Sequence, residues 1–304
     1  MNLYTSPGGT FGLGNLGVPI KIASFMLYLN LSSVLAGPAV NQFEVKDLEV
    51  EKGEWEFQSQ NAHSFRQPSR KFKKDGENKY DYDDNSISKH RHALEIEVGL
   101  SHALRSRFGV EFEKSRLDGE NILHSARDSY EELELEEIAV ELVFVLAPPR
   151  GFQSGMGLLV EIQHSLEDDG ADSFVLSPIL NGANTSWSYV VNPGFVKHFG
   201  GSEKDEKIDF TYAIQVLKKH SNDFQFGAEA YGTIDRLGST GEKGEESSVL
   251  GDHDQHRLGP VIYFKPTRKD KVYGRKFTVG LGVFAGLNST TPDHTLKWSI
   301  EYEF

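Results

Sequence analysis

Glutamates that alternate with apolar residues are the first side chains in this sequence with the potential for chemistry. Glu95 and Glu97 lie two residues apart, as do Glu111 and Glu113. Two carboxylates held a few ångströms apart can act as acid and base in glycoside hydrolysis. Because many acids share this spacing, no pair stands out as catalytic. The pattern therefore indicates an acidic lining rather than an enzyme centre, and no catalytic residue is predicted.

Histidines form a second group with potential chemistry. They cluster at His90 and His92 and again at His253 and His256, near aspartates. Imidazole and carboxylate groups can bind transition metals, but only where the ligands converge. His90, His92 and His256 share the parity of the apolar positions around them, so they do not converge on one point. We expect a solvated rim, no metal site and no cofactor.

Composition narrows the class of protein. The chain has 304 residues and no cysteine, which excludes disulfides and thiolate chemistry. The formal net charge is −13, whereas nucleic-acid binding requires clustered lysine and arginine. No nucleic-acid partner is therefore predicted.

The elements that would position these side chains are β-strands. Leu94, Ile96 and Val98 fall on one face of an extended chain, with Glu95 and Glu97 on the other. A helix would mix these glutamates into the apolar stripe. Segments with this alternation recur along the chain, and they lie at 53–65, 90–101, 104–115, 134–146, 154–165, 172–180, 186–199, 207–218, 223–235, 255–265, 275–286 and 294–304.

The connections between these segments alternate between short and long. A tight turn is predicted at 101–103, and long polar loops at 66–89 and 237–254. An even number of strands with this asymmetry is typical of a transmembrane barrel. The predicted fold is all-β, a single antiparallel up-and-down transmembrane β-barrel of about twelve strands. An exported soluble β-sandwich, with its apolar face turned inward, is the alternative.

The last strand carries a more specific pattern. Trp298, Ile300, Tyr302 and Phe304 alternate and end on a terminal aromatic residue. In this the chain resembles the Gram-negative outer-membrane β-barrel proteins and, more loosely, small porin-like barrels. The resemblance implies that these four residues form the signal read by the barrel-assembly machinery. It also implies outer-membrane lipid and lipopolysaccharide as surroundings.

The twelve predicted strands also invite comparison with the outer-membrane phospholipase, whose catalytic residues are a serine, a histidine and an asparagine. His164 and Ser165 are the nearest candidates here. Neighbouring residues on a strand face opposite ways, so these two side chains cannot hydrogen-bond unaided. We predict no enzyme activity.

Three regions follow along the chain. Residues 1–39 hold one charged residue, Lys21, followed by an apolar stretch and Pro38-Ala39, as in a secretory signal with an atypical N-terminal extension. Residues 40–52 are predicted to be a periplasmic N-terminal segment, and residues 53–304 the outer-membrane barrel.

If the apolar face meets lipid, the opposite face lines the lumen. The predicted lumen-lining residues are Glu56, Glu95, Glu97, Glu111, Glu113, Glu137, Glu141, Glu161, Glu229, Arg107, Arg257 and Lys297. The net negative lining predicts porin-like passage or binding of a small polar or cationic solute. Eight-strand barrels are filled by their own side chains and sixteen-strand barrels leave an open channel, so a twelve-strand barrel is of intermediate width. A closed structural or adhesive barrel that acts through its long outer loops is therefore the alternative.

Overall fold

The structure is a computed structural model of the chain. It describes residues 43–66, 71–73, 80–82, 86–117, 129–130, 132–150, 153–166, 170–200, 208–234, 237, 254–266, 276–288 and 291–304. The signal predicted over residues 1–39 lies outside these described residues.

Twelve long antiparallel strands form a closed barrel. They are β1 (Trp55–Phe65), β4 (Ser86–Ser101), β5 (Leu104–Leu117), β7 (Glu134–Ala147), β8 (Gly155–Ser165), β9 (Asp172–Ala183), β10 (Trp187–Phe199), β11 (Asp209–Lys219), β12 (Phe224–Ile234), β13 (Gln255–Phe264), β14 (Phe277–Gly286) and β15 (His294–Glu303). Each strand pairs with the next long strand, and β1 pairs with both β4 and β15, which closes the ring.

Three short strands lie outside the ring of twelve. A separate hairpin is formed by β2 (Lys71–Lys73) and β3 (Tyr80–Tyr82), and β6 (Ser129–Tyr130) extends the edge of β5. Among the residues described, no helix has the length and apolar character needed to cross a bilayer.

All twelve predicted segments are strands, with bounds that differ by a few residues. The segment interrupted by Pro178 is longer than predicted, because β9 continues through the proline. Pairing between β9 and β10 is interrupted between Leu176↔Phe195 and Leu180↔Val191. Pro178 and Pro193 both lie in this gap, where neither has an N–H to donate.

The barrel has an apolar outside and a polar inside. Large side chains with more than two fifths of their surface exposed include Ile96, Val140, Ile162, Leu258 and Ile300, all on the outward face. The alternating inward positions carry buried polar and charged groups. This inverts the pattern of a soluble β-sandwich and is the arrangement expected of a strand ring surrounded by lipid.

The two ends of the barrel differ. Trp55 and Glu303 begin and end the ring at the same end, which we call the terminal end. Turns at this end are mostly short, for example 102–103 between β4 and β5. Longer connections, including 66–85 and 235–254, lie at the opposite end, called the loop end.

The chain before β1 does not lie where the sequence predicted it. Residues 40–52 were expected to be periplasmic, but within their described part, residues 43–52, the stretch Phe43–Val50 lies inside the barrel. We call Phe43–Val50 the lumen segment. Its apolar side chains are buried against the wall and its charged side chains pair with wall residues, so the cost of burying these charges is offset by ion pairs.

Because the outer face is apolar, a charged side chain introduced there is expected to destabilise the barrel most at the middle of the membrane and least near its edges. Val140 lies at the middle of β7 and Leu146 near its terminal end, and both side chains are about half exposed or more, 49% and 61%. Val140→Arg is expected to lower the free energy of unfolding in lipid vesicles by ~2–4 kcal/mol, and Leu146→Arg by ~0–1 kcal/mol. Equal losses at the two positions would contradict this orientation of the strands in the membrane.

Candidate functional site

A row of charged residues follows the cross-strand register along the inner wall. Cross-strand partners run from β8 through β7, β5, β4 and β1 to β15. The row consists of Glu161, Glu141, Arg107, Glu97, Glu56 and Glu303, which we call the acidic row. Like charges directly opposite one another destabilise a sheet. Five carboxylates with one arginine among them therefore need further cations.

Arg107 is the first source of compensation. It is 4% exposed, and its guanidinium donates to Glu97 Oε2 from Nη2 at 2.8 Å and from Nε at 3.1 Å. Nη1 lies 2.6 and 2.7 Å from the two carboxylate oxygens of Glu44 on the lumen segment. The same nitrogen is 3.2 Å from Glu95 Oε2. One guanidinium thus joins two neighbouring strands to the lumen segment.

Lys46 of the lumen segment is the second source. Its Nζ lies 2.9 Å from Glu141 Oε2, contacts Glu44, and is 3.9 Å from Glu95 Oε1. The residue is 5% exposed, so these charges interact in a region that excludes bulk water. Removing one partner from such a cluster leaves an uncompensated buried charge.

The main chain of Lys46 is held as well as its side chain. The Lys46 N–H donates to Asn192 Oδ1 at 2.8 Å, and Asn192 Nδ2 donates to the Lys46 carbonyl at 2.9 Å. Asn192 lies on β10, within the ladder gap between β9 and β10. An inward amide there satisfies both backbone groups of one residue in the lumen segment.

Arg105 and Leu48 hold the rest of the lumen segment. Arg105 donates to the carbonyls of Glu49 and Asp47 at 2.9 and 3.0 Å. Leu48 is 3% exposed and belongs to an apolar cluster on the wall that also contains Val143, Val145, Leu159, Ile179 and Val190. A Cβ on Gly157 would collide with Leu48, so only glycine leaves room for this side chain.

Glu44 remains charged in this setting. It lies on the lumen segment, outside the strands. Burial alone would raise its pKa, but the charges of Arg107 and Lys46 outweigh burial and hold the pKa of Glu44 at about 2. The ion pair between Glu44 and Arg107 is therefore retained through the acidic range and is lost only as the pH falls toward that value.

A tight turn connects the lumen segment to β1. The Glu54 N–H donates to the Glu51 carbonyl at 3.2 Å, and Gly53 has a φ of +83°. Gly53 N–H also donates to the Gly99 carbonyl at 2.7 Å. A Cβ on Gly99 would collide with the Glu51 carbonyl, so the turn lies directly against β4.

The opposite wall carries a second charge network. Glu229 is 1% exposed and accepts hydrogen bonds from Tyr231 and Tyr263, each at 2.5 Å. Lys297 Nζ lies 2.9 Å from Glu229 and 2.7 Å from the Tyr231 hydroxyl. These groups form a buried hydrogen-bonded cluster, and Phe43 packs against Tyr231 with ring centroids 5.7 Å apart.

Beside the lumen segment is a cavity of about 850 Å³ that reaches the terminal end. Its lining contains nine carboxylate and six cationic side chains. The carboxylates are Glu44, Asp47, Glu49, Glu51, Glu54, Glu56, Glu97, Glu301 and Glu303, and the cations are Lys46, Arg105, Arg107, Lys265, Lys276 and Lys297. Carboxyl groups therefore outnumber cationic groups in a strongly polar lining.

The twelve predicted lining residues all fall on the interior side of the strands. Nine of them are buried, and Glu56, Glu113 and Glu137 are half-buried. The buried residues are Glu95, Glu97, Glu111, Glu141, Glu161, Glu229, Arg107, Arg257 and Lys297.

The predicted lining residues form separate groups. Glu95, Glu97, Glu141 and Arg107 meet around the lumen segment, as described above. Arg91, which was not predicted, lies 2.5 Å from Glu113 and 3.7 Å from Glu111. Arg257 stacks over the ring of Phe43 at 4.8 Å.

Sequence reasoning missed Glu44, Lys46 and Asn192 as site residues. Glu44 and Lys46 lie in a segment assigned to the periplasm. The sequence does contain one indication of burial: Phe43–Val50 combines apolar side chains with charges of both signs. A solvated linker does not need either feature.

The four terminal-strand residues lie on the outward side of β15. Ile300 and Phe304 are 42% and 56% exposed, and Trp298 stacks on His90 with ring centroids 5.4 Å apart. The ring they complete is closed by β1.

His256 departs from the solvated rim that was expected. It is 4% exposed, and its ring nitrogen lies 2.8 Å from the Tyr212 hydroxyl. Its backbone N–H donates to Thr291 Oγ1 at 2.8 Å, so the connection between β14 and β15 covers it. His253 lies outside the described residues.

His164 and Ser165 point to opposite sides of β8, as expected from their adjacent positions. Ser165 is buried on the inner side, and His164 Nδ1 lies 2.7 Å from Asp172 Oδ1.

Comparison with solved structures places this barrel among known folds. The chain matches an outer membrane channel from Pseudomonas putida F1 with a TM-score of 0.51 and 11% identity, over 84% of this chain and 96% of that one. The chain has the fold of an outer-membrane β-barrel. No protein-family model and no curated protein matches it.

Two porins match less well. A NanC porin has a TM-score of 0.44 and 7% identity, over 82% of this chain and 98% of that chain. A KdgM porin in complex with disordered oligogalacturonate has a TM-score of 0.42 and 7% identity, over 83% and 98%.

The position of Arg107 predicts a large stability cost on its removal. Arg107→Ala leaves Glu44, Glu95 and Glu97 buried without their shared cation, so we expect a loss of ~3–5 kcal/mol in the free energy of unfolding. Lys89→Ala is the control, because its pair with Glu113 is partly exposed, and it is expected to cost ~0–1 kcal/mol. Denaturant unfolding in vesicles measures both. Similar losses for the two variants would contradict the role of Arg107.

Proposed function

We propose that this protein is an outer-membrane, porin-like channel for small polar or cationic solutes, closed at rest by its own lumen segment. The observation that carries the proposal is the position of Phe43–Val50, which obstructs an otherwise polar lumen. A twelve-strand ring is wide enough to hold an extended chain beside a cavity, in contrast to eight-strand barrels that are filled by wall side chains.

The charge of the lining supports cationic or polar solutes. Carboxylates outnumber cations in the cavity at the terminal end, and the acidic row continues that excess around the wall. Rings of acidic side chains favour cations in channels. Withdrawal of the lumen segment would remove Glu44, Asp47 and Glu49 together with Lys46, and it would leave the wall carboxylates Glu141 and Glu95 without that cation.

The cellular setting belongs to the same proposal. We place the terminal end in the periplasm and the loop end outside the cell, since short turns face the periplasm in this fold. Residues 1–39 act as the export signal, and the alternating terminal residues Trp298, Ile300, Tyr302 and Phe304 as the assembly signal. Outer-membrane lipid and lipopolysaccharide then surround the apolar outer face.

A closed barrel that acts through its loops is the second candidate. The hydrogen-bonded cluster around Glu229 and the apolar packing of Phe43 favour it, because both fill the lumen toward the loop end. In that case removal of the lumen segment would not open a path for ions.

Reversing the charge of Lys46 separates the two candidates. Lys46→Glu places another carboxylate beside Glu141, so repulsion is expected to expel the lumen segment. In planar bilayers the unmodified protein is expected to be mostly silent, and the variant to give stable, cation-selective conductance steps.

Lys218→Glu is the matched control, because it makes the same change near the terminal end of β11, where the exposed Lys218 lies over the Trp187 ring and outside the cavity lining. It is expected to leave the barrel mostly silent. A folded Lys46→Glu barrel that stays silent in a salt gradient would overturn the channel proposal and favour the closed barrel.

A further inference from the structure

The lumen segment is held in a way that resembles a bound ligand. Among the residues described, Phe43–Val50 forms no backbone–backbone hydrogen bond with any strand. Its polar contacts with the wall come from wall side chains, namely those of Asn192, Arg105, Arg107, Glu141 and Glu95. A segment anchored by side chains alone can leave without breaking the barrel's hydrogen-bond ladder.

We infer that the lumen is a binding site for extended peptides, and that the lumen segment occupies it as an internal substitute. This inference rests on the proposed function, because the segment must be able to leave the lumen, and it adds a second ligand class to the small solutes proposed above. The main chain is recognised by Asn192, which binds both the N–H and the carbonyl of Lys46, and by Arg105, which binds two further carbonyls. Contacts of this kind do not depend on the side chains of the bound peptide.

The wall also selects side chains at alternating positions. Glu44 meets Arg107, Lys46 meets Glu141, and Leu48 enters the apolar cluster beside Gly157. Alternate residues of an extended chain point the same way, so three successive wall subsites read positions i, i+2 and i+4. The preferred ligand is therefore an extended peptide with an acidic, a basic and an apolar residue at these positions.

The geometry fits a peptide better than a compact solute. The wall side chains that bind the main chain and the subsites for side chains both lie along the path from Phe43 to Glu49. The cavity at the terminal end continues that path. A small cation would use the carboxylates but would leave the amide of Asn192 and the apolar cluster unused.

The test uses the complete barrel protein carrying Lys46→Glu, whose own segment is expelled. The probe is a fluorescent peptide with the sequence of residues 43–51, FEVKDLEVE. The matched control peptide carries E44K and K46E, which exchanges the two charges at constant composition. Fluorescence anisotropy measures binding, and planar-bilayer current measures block of the open lumen.

The probe is expected to bind and to block the current, and the control peptide to bind ~100-fold more weakly, because both buried charges are then mismatched. Adding Asn192→Leu is expected to weaken the binding of both peptides. Adding Lys89→Gln, which lies away from the lumen segment, is expected to leave the binding of both unchanged. Heat-dependent migration on gels verifies that each variant is a folded barrel.

The outcomes separate this inference from the proposed function. Conductance steps without binding of either peptide, or equal binding of both, would overturn the peptide site while the channel stands. Tighter binding of the probe than of the control peptide, by a barrel that conducts no current, would support the peptide site and overturn the channel.

Discussion

The compensation of buried carboxylates inside the barrel is the constraint on which the rest of the structure depends. Cross-strand pairing places Glu141 opposite Glu161, and Glu56 opposite both Glu97 and Glu303. Such pairs are unfavourable without nearby cations, because the interior screens charge poorly. Arg107 supplies one cation from the wall, and Lys46 supplies another from a different part of the chain. The wall and the lumen segment therefore stabilise each other.

The lipid-facing exterior explains why the charges lie inside. A strand ring in a bilayer satisfies all its backbone groups internally and turns its apolar side chains outward. Polar side chains have only the lumen left, where they must pair with one another or with what fills the lumen. Phe43–Val50 provides both charged partners and apolar contacts there. A single segment thus completes the interior without adding a strand.

The sequence predicted the strands and their facing well, because both depend on local alternation. Leu94, Ile96 and Val98 define an outward face without any knowledge of neighbours, and the twelve segments follow from the same rule. Pro178 visibly interrupts the alternation of its segment, whereas its position in the ladder gap that also contains Asn192 depends on pairing that the sequence does not display.

The lumen segment could not be placed from local pattern. Its partners are distant in sequence: Arg107 is 63 residues from Glu44, and Asn192 is 146 residues from Lys46. Complementarity over such separations appears only once the ring has closed and brought β5 and β10 to the same interior. A short stretch before the first strand then resembles a linker, although its side chains match the wall.

The most direct test of the account is whether Leu48 is shielded by the barrel. The chain has no cysteine, so Leu48→Cys and Glu51→Cys each introduce a single thiol. Leu48 is buried and Glu51 is exposed at the terminal end. The rate of labelling by a polar maleimide should be much slower at position 48 than at position 51, and the difference should vanish on unfolding. Equal rates in the folded barrel would show that Phe43–Val50 lies outside the lumen and would contradict the account.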